Sequence, residues 1–254
     1  MTFWEHLDEL RKVLFRSAIV IVALMAGIFM AKDFVFNKVV FAPINSDFAL
    51  YKLIDKVLVM MEMPTLPEFK LSLINIDPSA QFFIHISTTF YFALVLAVPF
   101  IVYQLWKFVS PALYENEKRA AKGAFAFAGV LFLLGVLVGY YLIFPLTLRF
   151  LGTYQVSYEV ANQISLQSYI SMFTWLILIM GVVFEMPSLA VILSKIGILT
   201  KSFLKKYRRH AFVIMLVLAA FIPPSGDPFP LMAVGLPLYG LYELSILVCR
   251  DIDK

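Results

Sequence analysis

Residues 124–145 read AFAFAGVLFLLGVLVGYYLIFP, a run without a single charge. A helix rises about 1.5 Å per residue, so a run of this length reaches across a hydrocarbon core of about 30 Å. Within it Gly135 and Gly139 stand four apart, a G-x-x-x-G spacing that lets another helix approach closely. The stretch reads as a membrane span, and composition extends that reading to the whole chain. Hydrophobic residues make up 61% of the 254 positions and charged residues 15%, with a mean hydropathy of +0.87. Average globular chains are roughly 45–50% apolar and about 25% charged. The solvent for much of this chain is therefore lipid.

Outward from that stretch, five more apolar runs complete an all-α integral membrane protein with six transmembrane helices. The expected spans are 14–31, 82–108, 124–145, 169–196, 210–222 and 231–248, the last two short. The fifth is too short for a full core and predicts a locally thinned membrane beside it. The run at 14–31 follows an acidic and basic helix start at 5–11, and no A-x-A-like site comes after it. It reads as a retained span and not a cleaved signal. Thr2 with Glu5 fits a capping box, which would start a short helix just before the membrane. The connection 32–78 forms a cap of loops between spans one and two. Within it 47–63 is amphipathic, with Tyr51, Ile54, Leu58 and Met61 on one face, as suits an interfacial helix. Residues 69–76 partly alternate and read as extended. With no internal repeat and no detachable soluble part, residues 1–254 form one polytopic membrane domain.

Of the 21 Lys and Arg, 15 fall at span ends shared with the N-terminus. Six, namely Lys32, Lys38, Lys52, Lys56, Lys70 and Arg149, fall on the other side. The positive-inside rule then places both termini in the cytoplasm and the cap outside.

Among polar residues in the spans, Glu185 is the sharpest signal. A carboxylate inside a span costs several kcal/mol if charged and is a functional hypothesis by default. Pro187, two residues on, removes a helix hydrogen bond and frees the carbonyl of Val183. A protonated Glu bonded to a neighbouring helix, holding the bundle together, reads equally from the residues. Glu243, in the last span, repeats the argument more weakly because it lies nearer an end. A second signal is a set of acids on a face otherwise rich in Lys and Arg. Glu5, Asp8 and Glu9 open the first helix, and Glu115 and Glu117 lie after the second span. They suit bidentate contacts to guanidinium groups of a cationic peptide. Acids at a helix start also complement its dipole without any ligand. Asp227 lies in the turn Pro223-Pro224-Ser225-Gly226-Asp227-Pro228, where Asp is commonly a turn former. His6, His85 and His210 are isolated, the lone Cys249 allows no disulfide within the chain, and no nucleotide or nucleophile-elbow motif occurs. No catalytic residue, metal or cofactor is expected, and a net charge of +4 calls for no nucleic acid.

These motifs fall in an order that resembles TatC, the multi-spanning receptor of the twin-arginine protein translocase. The likeness rests on His6-Leu7-Asp8-Glu9-Leu10-Arg11, Ala42-Pro43, Pro99 with Tyr103-Gln104-Leu105-Trp106, and the loop Ser110–Arg119 ending Glu117-Lys118-Arg119. Phe184-Glu185-Met186-Pro187, the Pro-Pro-Ser-Gly-Asp-Pro turn, and Leu238-Tyr239 with Tyr242-Glu243 complete it. The resemblance implies a receptor in the cytoplasmic membrane of a bacterium. It would bind twin-arginine signal peptides of folded cargo and recruit single-span TatA- and TatB-like partners. Export would draw on the proton-motive force, with no cofactor. It implies that Glu9 and Glu117 hold the two arginines, with Arg11, Lys118 and Arg119 beside them. Glu185, with Pro187, would dock partner helices, and Pro43, Phe82, Pro99, Tyr114 and Asp227 would shape the cap, helix bends and turn. Self-association into a multi-copy complex is implied as well. Lys118 departs from the pattern, standing where Arg is frequent, which keeps the charge and loses the planar fork. From the residues alone a proton-coupled transporter using Glu185 stays open, although no paired short segments suggest an inverted repeat. A structural scaffold, indifferent to Glu9 and Glu117, stays open too.

Overall fold

The structure, a computed structural model, describes residues 3–67, 69, 71–112, 115–157, 159, 162–195, 197–222 and 228–249, without the side chains at 3, 112, 115–117, 119–121 and 229. The first helix, α1, runs unbroken over Phe3–Met30. The separate short helix expected before the membrane is absent, because no Pro or Gly interrupts the chain between 3 and 26 to end one. A turn of helix at Lys32–Phe34, a π-helical turn at Val35–Val40 and a 3-10 turn at Ala42–Ile44 lead into α2, Ala49–Met60. After β1, Leu73–Ile74, come α3, Ala80–Val109, and α4, Glu115–Val138. A π-helical turn at Gly139–Ile143 joins α4 to α5, Phe144–Thr153. Then follow β2, Ile164–Ser165, α6, Leu166–Val183, and α7, Met186–Lys195. Last come α8, Lys201–Lys206, α9, Arg208–Phe221, and α10, Pro228–Val248.

Among the described residues, five stretches are long and apolar enough to cross a membrane: Trp4–Met30, Ala80–Val109, Lys122–Thr153, Leu166–Lys195 and Pro230–Val248. The expected fifth span corresponds to α9, whose 14 residues reach only about 21 Å at 1.5 Å per residue. Helices α1 and α3 pack antiparallel along their length. His6 stacks on Phe108 at one end (4.3 Å between ring centres), and Phe29 stacks on His85 towards the other (4.0 Å).

The glycine pair in the opening stretch meets α6. A Cβ added at Gly135 would lie 2.5 Å from the Met180 carbonyl oxygen and 2.7 Å from the Phe184 Cβ. One added at Gly139 would lie 3.1 Å from the Ile177 Cα. Gly181 returns the fit, since its Cβ would meet the Phe132 ring at 2.8 Å. Backbone approach of this kind supplies dispersion contacts where lipid gives no hydrophobic drive between helices.

Where the chain leaves α-helix, side chains from elsewhere meet its carbonyls. Tyr169 donates to the Val40 carbonyl (2.6 Å) and Tyr140 to that of Val39 (3.0 Å), both on the π-helical turn. Trp175 Nε1 donates to the Ile222 carbonyl just past α9 (2.9 Å), and Tyr242 to that of Leu204 in α8 (2.8 Å). In the cap, α2 covers less than the amphipathic window predicted. Glu62, just past it, has φ 57°, and the Met63 N–H returns to the Leu58 carbonyl at 2.9 Å. That closure ends a helix with a left-handed residue. The extended segment is also shorter than expected, because β1 pairs with only two residues: parallel to β2, Leu73 with Ile164 and Ile74 with Ser165.

Gly135→Leu is expected to destabilise the folded protein by about 1–3 kcal/mol through overpacking against α6. Gly27→Ala, where an added Cβ meets nothing within 4 Å, should leave stability level or slightly raised. Reversible unfolding in mixed micelles measures both, and equal effects of the two substitutions would refute the packing account.

Candidate functional site

Of the acids singled out in the sequence, Glu5, Asp8 and Glu9 lie in the first turns of α1, and the backbones of Glu115 and Glu117 open α4. Because His6 lies on Phe108, the first turns of α1 stand beside the last turn of α3. From there a 3-10 turn at Ser110–Ala112 leads towards the start of α4 at Glu115. Glu9 projects from α1 and accepts from Lys12 Nζ at 2.7 Å in an exposed pair one helical turn apart. Arg11 is exposed on the same helix, and Lys118 is part-buried in the first turn of α4. The backbones of Glu117 and Arg119 belong to that turn, while their side chains, and all of Tyr114 and Asp227, lie outside the described residues. Leading away from this end, an apolar groove runs between α3 and α4, lined by Pro99, Tyr103 and Trp106 on one side and Phe125, Gly129 and Val130 on the other. A Cβ added at Gly129 would meet nothing within 4 Å, so the groove has open space at that residue.

Glu185 sits where the fourth span divides. Helix α6 stops at Val183, Phe184 and Glu185 form a turn, and α7 starts at Met186. The break falls just ahead of Pro187, which is buried as the second residue of the new helix, a position where its missing N–H costs nothing. Ser188 Oγ donates to the Glu185 carbonyl at 2.9 Å and also contacts its carboxylate oxygen Oε2. The carboxyl group is half-buried. A polar, kinked patch in the span is therefore present as read, with Ser188 as a member that the sequence reading did not name.

Pro43 is buried in its 3-10 turn, and its carbonyl accepts from Tyr51 Oη at 3.2 Å. The same hydroxyl lies 3.1 Å from the Pro145 carbonyl, so one phenol latches the cap to the top of α5. Arg149 reinforces the latch, its guanidinium lying over the Tyr51 and Phe69 rings (5.2 and 5.4 Å) and donating to the Pro67 carbonyl at 2.7 Å. Phe82, on the first turn of α3, is exposed. Glu243 has a partner that its spacing gave no hint of, Arg208 Nη2 at 2.7 Å, joining the start of α9 to α10. Desolvation pushes the Tyr51 phenol up to about 12.

These features define a helical, multi-pass membrane protein whose polar groups concentrate at helix breaks and at one bundle end. A family model described as "Sec-independent protein translocase protein (TatC)" matches residues 5–237. The Sec-independent protein translocase protein TatC of Blattabacterium sp. subsp. Periplaneta americana (strain BPLAN) is 35% identical, over 100% of this chain and 97% of its own length. Two solved structures share the fold. "Crystal Structure of Twin Arginine Translocase Receptor- TatC in DDM" superposes with a TM-score of 0.74 at 31% identity, covering 96% of this chain and 99% of that one. "Crystal Structure of Twin Arginine Translocase Receptor- TatC" gives 0.70 at 32%, covering 96% and 97%. The chain belongs to the TatC family of Sec-independent protein translocase proteins. It is a multi-pass inner-membrane component of a protein translocase and not an enzyme.

Tyr51→Phe removes the donor to both carbonyls and is expected to cost about 1–3 kcal/mol near neutral pH. The folded-state phenol titrates above its unfolded value, near 12 instead of about 10. Its stabilisation is therefore complete below pH of about 10 and is lost as pH rises through about 12. The stability difference between wild type and Tyr51→Phe should shrink across that window, and a difference constant from pH 8 to 12 would contradict the latch.

Proposed function

We propose that this protein binds twin-arginine signal peptides at the bundle end where α1 begins, and that this end faces the cytoplasm. The single observation carrying the reading is the stacking of His6 on Phe108. It brings the helix bearing Glu9 beside the end of α3, which supports a rim shared by Glu9 and Glu117. The two solved structures that share the fold are of twin-arginine translocase receptors, which supports the ligand class. Two arginines are costly to bury, and carboxylates at a rim receive them in bidentate contacts while leaving them near water. Lys12 is the present partner of Glu9, but exposed pairs of this kind contribute little, so an incoming guanidinium displaces it readily. The apolar stretch that follows the arginines lies along the groove of Pro99, Tyr103, Trp106 and Phe125, which starts near the same end. Arg11, Lys118 and Arg119 are the basic neighbours of that site, and the two carboxylates supply the attraction for the arginine pair.

Partner helices of TatA and TatB type dock at the division of the fourth span. There the half-buried Glu185 carboxyl, held from within by the buried Ser188 hydroxyl, offers a hydrogen bond that is otherwise missing in hydrocarbon. Six crossings, with α9 the short one, leave both termini on the cytoplasmic side, in keeping with the excess of Lys and Arg there. Transport of folded cargo draws on the proton-motive force, and several copies of the chain assemble into the receptor.

Glu117→Lys at normal expression should abolish export of twin-arginine cargo, and Glu9→Lys should reduce it strongly. Glu185→Ala should weaken crosslinking of single-span partners to α6 while signal-peptide contact persists. Normal export by Glu117→Lys would overturn the rim assignment; unchanged partner crosslinks in Glu185→Ala would overturn the docking assignment.

A further inference from the structure

Helix α2 carries two apolar faces, and the one legible in the sequence points inwards. Tyr51 is buried on the latch carbonyls, and Ile54 and Leu58 are part-buried beside it. A second stripe, Leu53, Val57 and Met60, recurs at i, i+4 and i+7 on the opposite side. It is exposed, at 61%, 50% and 88% respectively. Lys52 and Lys56, both exposed, run along one border of this stripe.

The level at which α2 starts decides what such a face meets. Phe48, the residue before it, packs on Tyr140 and Tyr141 (5.6 and 5.8 Å), and Tyr51 reaches the Pro145 carbonyl at 3.1 Å. Helices α3 and α4 are antiparallel: Trp106 meets Phe125, while Tyr91 and Val95 face Val136 and Tyr140 across one cavity. On that register Pro145 lies level with Ile86, roughly 9 Å inside the first residue of α3 at 1.5 Å per residue. The end of α1 is at the same height, because Phe29 stacks on His85. The cap helix thus begins alongside the last turns of two spans, at the membrane boundary and not above it.

We propose that the Leu53, Val57 and Met60 face of α2 lies in the membrane leaflet on the cap side, with a phospholipid surface as its partner. The apolar stripe enters the boundary between headgroups and acyl chains, and Lys52 and Lys56 extend to the phosphates, as lysines bordering an apolar face do. The chemistry favours lipid over a second copy of the chain. A protein interface centred on this stripe would have to desolvate Lys56 and the exposed pair of Lys52 with Asp47 (3.0 Å), whereas a headgroup layer leaves both hydrated and supplies further anionic partners in place.

Nitroxide scanning tests this on the full chain in phospholipid vesicles, in a Cys249→Ala background that removes the native thiol. Labels are placed through Leu53→Cys, Val57→Cys and Met60→Cys, and through Lys52→Cys and Lys56→Cys. Collision with oxygen, which concentrates in acyl chains, is compared with collision with a neutral nickel chelate, which stays in water, both reagents equilibrated across the vesicle. The expected result is an oxygen-to-nickel ratio several-fold higher at 53, 57 and 60 than at 52 and 56. High nickel accessibility at all five positions would show the face in water. Labels at 53, 57 and 60 that neither reagent reaches would show it covered by protein. Either result overturns the proposal.

Discussion

Hydrocarbon supplies no hydrogen bonds, so every backbone group in a span must be satisfied by the protein itself. A continuous helix does this alone, but this chain leaves the α-helix at Val35–Val40, at Gly139–Ile143 and at Phe184–Glu185. At the first of these the loose carbonyls are met from a distance: Tyr169 reaches Val40 and Tyr140 reaches Val39. Trp175 does the same for Ile222 at the end of the short helix α9. Aromatic side chains with one polar atom suit the task, because their rings bury well among apolar neighbours while the hydroxyl or indole N–H finds a carbonyl. At Val35–Val40 and at the end of α9 these donors satisfy carbonyls that the helix leaves open, and they tie the cap and α9 to α6 and to the π-helical turn after α4.

The same constraint explains why the candidate docking patch is where it is. Pro187 cannot continue α6, so the chain turns at Phe184 and Glu185 and restarts. Gly135 leaves room for that turn, since anything larger would meet Met180 and Phe184. The break is thus sealed by helix α4 on one side while the Glu185 carboxyl remains half-buried, paired with the buried Ser188 hydroxyl. A carboxyl so placed offers a hydrogen bond to another helix without being expelled to water.

How much of this could be read in advance depended on how far apart the interacting residues lie. The spans were legible because each needs only its own run of apolar residues. The Gly135 and Gly139 spacing announced a close approach, but nothing local named residues 177–184 as its partner. Glu185 and Pro187 were legible because an acid and a proline two residues apart carry their own physics. The ion pair of Arg208 with Glu243 was not, since the partners are 35 residues apart on different helices. The Tyr51 latch was hidden for the same reason, its Pro145 partner lying 94 residues on. In α2 the face of Tyr51, Ile54 and Leu58 is legible, with Met61 falling past the helix end, but which face docks is not, because a helix with two apolar faces gives no local sign of it. The two-residue sheet was half visible, since the window 69–76 around β1 partly alternates, whereas nothing around β2 marks it as a partner.

The claim that organises the account is that α1 and the segment after α3 together present acids to a pair of arginines. The most direct test is photocrosslinking from position 117 to a membrane-bound precursor, comparing a signal peptide carrying two arginines with one carrying two lysines. Crosslinks that form with the arginine pair and fall away with the lysine pair are the predicted result. Equal crosslinking of both, or none to either with the protein and its partners intact, would contradict the rim as the place where the arginines are read.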